Sequence, residues 1–458
     1  MPSSFDYDNT RTTSAHASEI RSGEPVLIVI GDALHLGASR KILRIDGSLE
    51  IGRRPTAEGH RAWAIDDNRV SRQHARIDVD AVRGLARIED LGSRNGTVVD
   101  GRTTRSSVAE LGPGSIIFIG SFAAVFRFAS ESDLLAIAHD LADSFTRVST
   151  TSPELARKAQ TLRTLAKGRG DLLLVGETGV GKEEFARAIH RASGRPGKFV
   201  AINCPALPGS LIESELFGYA KGAHSQANRD KAGLIEEAEC GTLFLDEFAE
   251  ITPDMQAKLL RFLEDRDLIP LGATKRRRVD VSVLAATNRE LSAIRPDILA
   301  RLGPEPIQIP PLSAHLEDLA ALAGHFLVDQ PGVGLDVRAF QSLCLHSWPD
   351  NVRGLKKVME RAAALAVAEG KKLISVDHLP DWFGRRPSSL PPTSAKPSDF
   401  PAGPRRSPRA APTKEELEKL LASNDWVVAR VAREIDRDHA IVWRWIKRYG
   451  LEVPEQGE

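Results

Sequence analysis

Two short stretches carry residue types that handle phosphate. Gly176-Glu177-Thr178-Gly179-Val180-Gly181-Lys182-Glu183 has the spacing GxxxxGK. Glycines let the backbone curl so that several N–H groups face one phosphate, and a following helix adds the positive end of its dipole. Lys182 is then placed to reach the terminal phosphates. Position 183 holds Glu, where the general pattern has Ser or Thr for Mg²⁺. Further along, Gly241-Thr242-Leu243-Phe244-Leu245-Asp246-Glu247 is an apolar run that ends in two carboxylates. Asp246 is suited to bind Mg²⁺, directly or through water, and Glu247 to polarise an attacking water. Alone, the first stretch is also a Gly-rich turn and the second a solvated acidic turn. In this order along one chain they point to hydrolysis of a nucleoside triphosphate.

These residues need strands to hold them. Leu172-Leu173-Leu174-Val175, Thr242 to Leu245 and Val281-Ser282-Val283-Leu284-Ala285 are short, fully apolar runs. Such runs read as parallel strands buried on both faces, and with helical stretches between them they imply a doubly wound α/β domain. That pattern begins near Asp133 and ends near Pro310-Pro311. Residues 315 to 383 read as mostly helical. Before Asp133 the pattern differs. Val26 to Ile30, Ala75 to Val79, Leu85 to Ile88 and Ser115 to Ile119 are β-type runs between turn signals such as Asn95-Gly96, Asp100-Gly101 and Gly112-Pro113-Gly114. Many short strands at this spacing suggest an antiparallel sandwich. After Phe383 the segment 384–412 holds eight prolines and reads as an extended linker. Glu415 to Leu421, Val427 to Ile435 and His439 to Tyr449 then read as three short helices.

The chain's 458 residues are too many for one core and suggest about three domains. Hydrophobic residues at 41% and charged residues at 27% argue against wholesale disorder. No apolar run reaches the length of a membrane span, and the N-terminal residues lack a basic segment followed by an apolar one. Three well-separated cysteines give neither a disulfide framework nor a zinc pattern, so a cytoplasmic protein is expected. Lys plus Arg, 62, balances Asp plus Glu, 62, which excludes a globally basic coat but not a local patch.

Around the phosphate-type motifs the chain resembles the AAA+ domain of sigma-54-dependent transcription activators, the bacterial enhancer-binding proteins. The resemblance runs from about Pro153 to Phe383. It rests on the loop GETGVGKE, Phe199-Val200-Ala201-Ile202-Asn203-Cys204, Glu213 to Gly218, Gly241 to Glu247, and Trp348-Pro349-Asp350-Asn351-Val352-Arg353. It implies ATP and Mg²⁺ as cofactors, with Gly176, Glu177, Thr178, Gly179, Gly181, Lys182 and Glu183 around the nucleotide. Asp246 would face the metal and Glu247 the water. Asn203 would pair with Glu247, Asn288 would sense the γ-phosphate, and Arg353 would report from a helical lid. Arg295 and Arg301 resemble the arginine fingers that reach a neighbour's nucleotide, which implies a homo-oligomeric ring.

Gly52-Arg53, Ser71-Arg72-Gln73-His74 and Asn95-Gly96 resemble a forkhead-associated (FHA) domain over about Pro25 to Ala129. Such domains take phosphothreonine peptides, which implies a phosphothreonine-containing protein as partner. Arg53 offers a fork of donors to a dianion, Ser71 a hydroxyl, Arg72 further charge, and Asn95 a hold on the peptide backbone. His74 is expected to brace the loop from within. The C-terminal helices resemble the Fis-type helix-turn-helix of enhancer-binding proteins. Between Arg405 and Arg448 there are eleven Lys and Arg against seven Asp and Glu. Arg437, His439, Arg444, Lys447 and Arg448 are the expected contacts to enhancer or operator DNA.

The expected organisation is a tail (1–23), an all-β FHA sandwich (24–130), a linker helix (131–152), an α/β AAA+ domain (153–312), a helical lid (313–383), a linker (384–412) and an all-α helix-turn-helix (413–452). The expected function is a DNA-binding regulator that senses a phosphothreonine protein and remodels sigma-54 RNA polymerase. One stretch departs from the family. Where activators read GAFTGA, this chain reads Gly222-Ala223-His224-Ser225-Gln226-Ala227. It lacks the rigid aromatic contact and the second glycine's backbone freedom. The alternative is therefore a regulator independent of sigma-54 that uses ATP for assembly. A P-loop metabolic enzyme and a phosphopeptide adaptor with a dead ATPase fit less well, because the C-terminal helices oppose the first and Lys182, Asp246, Glu247 and Arg295 oppose the second.

Overall fold

In Ala75-Arg76-Ile77-Asp78-Val79-Asp80 the polar residues alternate with Ala75 and Ile77, which are fully buried. The computed structural model builds from this and ten similar strands a two-sheet sandwich. It describes residues 23–36, 40–57, 61–80, 85–223, 227–303, 305–330, 332–383, 414–423 and Tyr449. The strands are β1 (Glu24–Asp32), β2 (Ile42–Arg44), β3 (Ser48–Gly52), β4 (Ala62–Ala64), β5 (Ala75–Asp80), β6 (Leu85–Asp90), β7 (Thr97–Val99), β8 (Arg102–Thr104), β9 (Val108–Leu111), β10 (Ile116–Ile119) and β11 (Phe122–Ala129). One sheet runs β2-β1-β11-β10-β7-β8 and the other β4-β3-β5-β6-β9. The expected antiparallel pairing holds except between β3 and β4, which run parallel. Asp100 and Gly101, both at positive φ (49° and 78°), close the β7–β8 hairpin in the manner a two-residue turn between twisted strands requires. Leu27, Val29, Leu49, Ile51, Trp63, Ile77, Ile88 and Phe126 fill the space between the sheets.

The second domain is a parallel sheet of β12 (Leu172–Val175), β13 (Phe199–Asn203), β14 (Thr242–Asp246), β17 (Ser282–Thr287) and β18 (Ile307–Gln308), in the order β13-β14-β17-β12-β18. A small antiparallel pair, β15 (Asp267–Leu268) and β16 (Arg277–Arg278), lies outside it. The continuous apolar runs have a simple cause. Leu173, Leu243, Leu245, Val283 and Ala285 face one helical layer with Leu259 and Phe262. Leu172, Leu174, Phe244, Leu284 and Ala286 face the other layer with Leu162, Phe185 and Ile189. Side chains alternate along each strand, and both faces are covered.

The expected linker helix is shorter than 131–152. It spans Glu131–Ala142, starts from a capping box between Ser130 and Asp133, and stops at Asp143. The Ser- and Thr-rich run that follows prefers side-chain hydrogen bonds to helix. Thr146 Oγ1 donates to the Val148 carbonyl, and the Thr150 N–H donates to Asp140. Residues 313–383 are mostly helical as expected. Helices Leu319–Phe326, Val337–Cys344 and Asn351–Ala368 are joined by a short parallel pair, β19 (Gly334–Leu335) and β20 (Leu373–Ile374).

The chain divides into two compact units, Met1–Arg386 and Pro387–Glu458. In the second, the helix Lys414–Ser423 matches the first of the three expected C-terminal helices, with Leu417 and Leu421 buried. The other two helices up to residue 448, and with them Arg437, His439, Arg444, Lys447 and Arg448, lie outside the described residues, as do residues 1–22 of the tail and the Pro-rich linker. Among the described residues no helix is long and apolar enough to cross a membrane.

Candidate functional site

Strands β12, β14 and β17 are neighbours, so their carboxyl ends deliver the two phosphate-type motifs to one edge. The Gly176–Gly181 loop leaves β12 and opens the helix Lys182–Ser193. Gly179 has φ +83°, and a Cβ there would sit 2.3 Å from the Asp350 carbonyl oxygen, so only glycine fits. Lys182 is 6% exposed, and its Nζ donates to the carbonyls of Gly176 (2.9 Å) and Glu177 (3.3 Å). Its Nζ is 3.7 Å from Glu247 Oε1. Glu183 instead pairs with Arg187 one turn on, at 2.6 Å.

Glu247 follows β14 with φ +53°. A non-glycine residue costs about 1–2 kcal/mol in this left-handed conformation, which the surrounding structure must impose. Its Oε2 accepts from the Asn288 N–H at 3.2 Å, and Asn288 Nδ2 donates to Thr178 Oγ1 at 2.8 Å. Asn288 therefore bridges the acidic strand end and the phosphate-type loop. Asn203, expected to pair with Glu247, stands in strand register with Asp246, and no hydrogen bond joins it to Glu247. Burial first, and then the Glu247 carboxylate, hold the Asp246 carboxyl above the usual carboxylate range. Burial also pushes the Cys204 thiol up to about 12, so no thiolate chemistry accompanies this site.

The lid closes the cleft from the other side. Thr178, Gly179, Gly181, Lys182, Glu183, Asp246, Glu247 and Arg353 line a cavity of about 530 Å³. The Arg353 N–H donates to the Gly179 carbonyl at 3.1 Å. Arg147, Arg187 and Lys356 also line it. None of the three was singled out from sequence, because each is an ordinary helix or loop cation until the chain folds. Asn351 belongs to the Trp348–Arg353 block. It is fully buried at φ +50°, donates from Nδ2 to Glu177 Oε2 (2.9 Å) and the Thr178 carbonyl (3.1 Å), and accepts from the Leu312 N–H (2.8 Å). An Asn after Pro-Asp at a helix start was the available signal. Arg295 and Arg301 do not line the cleft. Arg295 pairs with Asp297 at 2.7 Å, Arg301 lies 3.8 Å from Glu264, and both are about half exposed.

Of the altered loop, His224, Ser225 and Gln226 lie outside the described residues. Its stem is described. The Gly222 N–H donates to the Ala227 carbonyl at 2.8 Å, and Ala227 is buried.

A second cleft, of about 560 Å³, opens between the loops at one end of the sandwich. Arg53, Ser71 and Arg72 line it, together with Arg54, Arg69 and Arg94, while Asn95 does not. Among the described residues no carboxylate lines it. The Arg53 N–H donates to the Ser71 carbonyl, and Arg53 Nη1 donates to Asn68 Oδ1, both at 2.9 Å. Asn95 Nδ2 donates to the Arg69 carbonyl at 2.7 Å and so fastens two of the loops together. His74 does brace the loop from within. It is fully buried, its Nδ1 accepts from the Ser71 N–H at 3.1 Å, and its Nε2 faces the Gly96 carbonyl at 3.3 Å. Burial holds it below the usual imidazole range.

Residues 148–302 match the Sigma-54 interaction domain family, residues 49–120 the FHA domain family, and residues 313–396 the AAA+ ATPase lid domain family. The alginate biosynthesis transcriptional regulatory protein AlgB of Pseudomonas aeruginosa is 36% identical over 317 residues, 66% of this chain and 67% of that protein. The transcriptional regulatory protein XylR of Pseudomonas putida is 43% identical over 242 residues, 50% of this chain and 42% of that protein. The anaerobic nitric oxide reductase transcription regulator NorR of Aeromonas hydrophila is 39% identical over 321 residues, 66% and 63% respectively. The chain thus matches between 42% and 67% of these relatives' lengths. A phosphate-type loop, an acidic strand end and a lid arginine meeting in one cleft are what an ATPase of this kind needs, and the chain belongs to the family of bacterial transcriptional regulators that carry a Sigma-54 interaction domain, an AAA+ ATPase domain here joined to an FHA domain.

Proposed function

We propose that this protein is a DNA-binding transcription regulator that hydrolyses ATP to remodel sigma-54 RNA polymerase, under control of a phosphothreonine-containing protein. The observation that carries the ATPase reading is the meeting of Lys182, Asp246, Glu247, Asn288 and Arg353 around one cleft. The loop and helix N-terminus would hold the phosphates, with Lys182 released from the loop carbonyls to meet them. Mg²⁺ suits this cleft, because Asp246 and Glu247 line it beside the phosphate-type loop and this ion is usually held by one or two carboxylates together with substrate phosphates. Asp246 is the residue for it, and the ion would supply charge neutralisation on the phosphates. Glu247, left-handed and held by Asn288, would orient and deprotonate the water. Arg295 and Arg301, outside their own cleft, are suited to complete a neighbour's in a ring.

At the sandwich end, five arginines, with no carboxylate among the described lining residues, favour a dianionic phosphate over a neutral peptide. The C-terminal segment, with Arg437, His439, Arg444, Lys447 and Arg448, would read DNA as a Fis-type helix-turn-helix.

The second reading rests on the loop sequence His224-Ser225-Gln226. In it the ATPase drives assembly on DNA and sigma-54 is not engaged. Transcription in vitro with sigma-54 polymerase, this protein and ATP separates the two. ATP-dependent open complexes support the first. Turnover of ATP with no open complex supports the second.

A further inference from the structure

A sandwich strand with one face in water should alternate apolar and polar residues. Strand β1 does not: Val26 to Asp32 are all buried. Leu27 and Val29 point into the sandwich, whereas Val26, Ile28 and Ile30 belong to a different core. On that outer face they join Ile116, Phe118 and Val125 and pack against Leu319, Ala320, Ala323, Phe340 and Leu343 of the lid. Two domains therefore share one apolar core.

The contact is close enough to exclude side chains. A Cβ on Gly31 would lie 2.5 Å from Ala320 Cβ. The Leu335 N–H donates across the boundary to the Ala33 carbonyl at 3.0 Å. Polar contacts continue the junction. Arg127 Nε of β11 donates to Glu317 Oε1 at 2.5 Å, with the Glu317 side chain fully buried, and its Nη2 donates to the Ala314 carbonyl at 3.0 Å. At its other end the same lid carries Asn351 and Arg353 onto the Glu177–Gly179 turn.

We propose that the FHA domain stays docked on the lid throughout the ATP cycle and moves with it as one body. Building on the phosphothreonine reading above, a phosphoprotein bound at the arginine cleft that favours one position of the docked sandwich also favours that position of the lid, and so is felt at the phosphate loop. By linkage, nucleotide changes the affinity for that ligand by the same factor that the ligand changes the affinity for nucleotide.

A cross-link tests this. A Cβ on Gly324 would lie 3.4 Å from Leu36 Cβ, close to the span of a disulfide. The full chain carrying Leu36→Cys, Gly324→Cys and Cys240→Ser, oxidised with diamide, should close this bond and hydrolyse ATP within about twofold of its reduced form. Turnover lost on oxidation and restored by reductant would mean that the sandwich must leave the lid, and the proposal would fail. If the bond does not form while both cysteines react freely with maleimide, the docking itself is wrong. The ligand arm uses a fluorescent degenerate phosphothreonine peptide pool. A non-hydrolysable ATP analogue should shift its Kd about fivefold or more, within the usual range of allosteric coupling. Binding with no shift overturns the coupling. Absence of any binding counts against the phosphothreonine reading alone, and the cross-link still decides the docking.

Discussion

Replacing Asn351 with Ala should uncouple the lid from the phosphate loop. The side chain is fully buried and makes three hydrogen bonds, to Glu177, Thr178 and Leu312. Its loss leaves the Leu312 N–H without that acceptor and the Glu177 carboxylate without that donor. One unmet buried group costs about 1–3 kcal/mol. Alanine also tolerates the φ of +50° less readily than asparagine. The combined loss is then about 3 kcal/mol. At roughly 2–4 °C per kcal/mol for a domain of this size, the melting midpoint should fall by about 6–12 °C. Affinity for an ATP analogue should weaken at least about tenfold, equivalent to about 1.4 kcal/mol, because Arg353 sits two residues on. Asn351→Asp should do no better, since a second carboxylate would face Glu177. Scanning calorimetry and isothermal titration on the full chain measure both effects. An unchanged midpoint together with an unchanged Kd would refute the claim that Asn351 locks lid to loop.

Three further outcomes are expected. Arg53→Ala should abolish phosphothreonine-peptide binding by the full chain, Arg54→Ala and Arg94→Ala should each weaken it about tenfold, and titrations at rising salt should show shallower slopes. His74 is neutral in the fold and held below its ordinary value near 6.5, so the unfolded chain takes up a proton that the folded one refuses. The sandwich should keep the full His74 contribution above about pH 6.5 and lose stability as pH falls below it, seen as lower amide protection factors, corrected for the intrinsic exchange rate, in residues 71–96. Replacing His224 with Phe, Ser225 with Thr and Gln226 with Gly should raise open-complex formation with sigma-54 polymerase while leaving ATP turnover unchanged. Strong activation by the natural loop would show that the departure from GAFTGA does not matter.

The nucleotide cleft was legible where chemistry demands particular residue types in sequence. Gly179, Lys182, Asp246 and Glu247 could be read because a curled loop and an acidic strand end need them within a few positions. Arg147, Arg187 and Lys356 could not, since they reach the cleft only once the lid and the linker have packed. The five-arginine cleft was half legible for the same reason. Arg53 and Arg72 sit in recognisable fragments, whereas Arg54, Arg69 and Arg94 are gathered by the meeting of three loops. The most telling signal passed unused. Val26-Leu27-Ile28-Val29-Ile30 is too uniformly apolar for a sandwich strand with one wet face, and the lid core explains it. The shortened linker helix reflects a local competition, with Ser and Thr side chains taking backbone partners that a helix would need.

The central claim is that the cleft between loop, acidic strand end and lid is an ATPase site completed by a neighbour's arginines. Steady-state ATP turnover by Glu247→Gln and Arg301→Ala, beside direct ATP binding, tests it most directly. The account predicts that specific activity of the unaltered protein rises with its concentration. It predicts that Glu247→Gln binds ATP within a few-fold of the unaltered chain yet turns it over at least about a hundredfold more slowly, the scale on which positioned acid–base groups act. Arg301→Ala should also bind ATP and fail to hydrolyse it. Near-normal turnover by either variant, at concentrations where the unaltered protein is fully active, would contradict it.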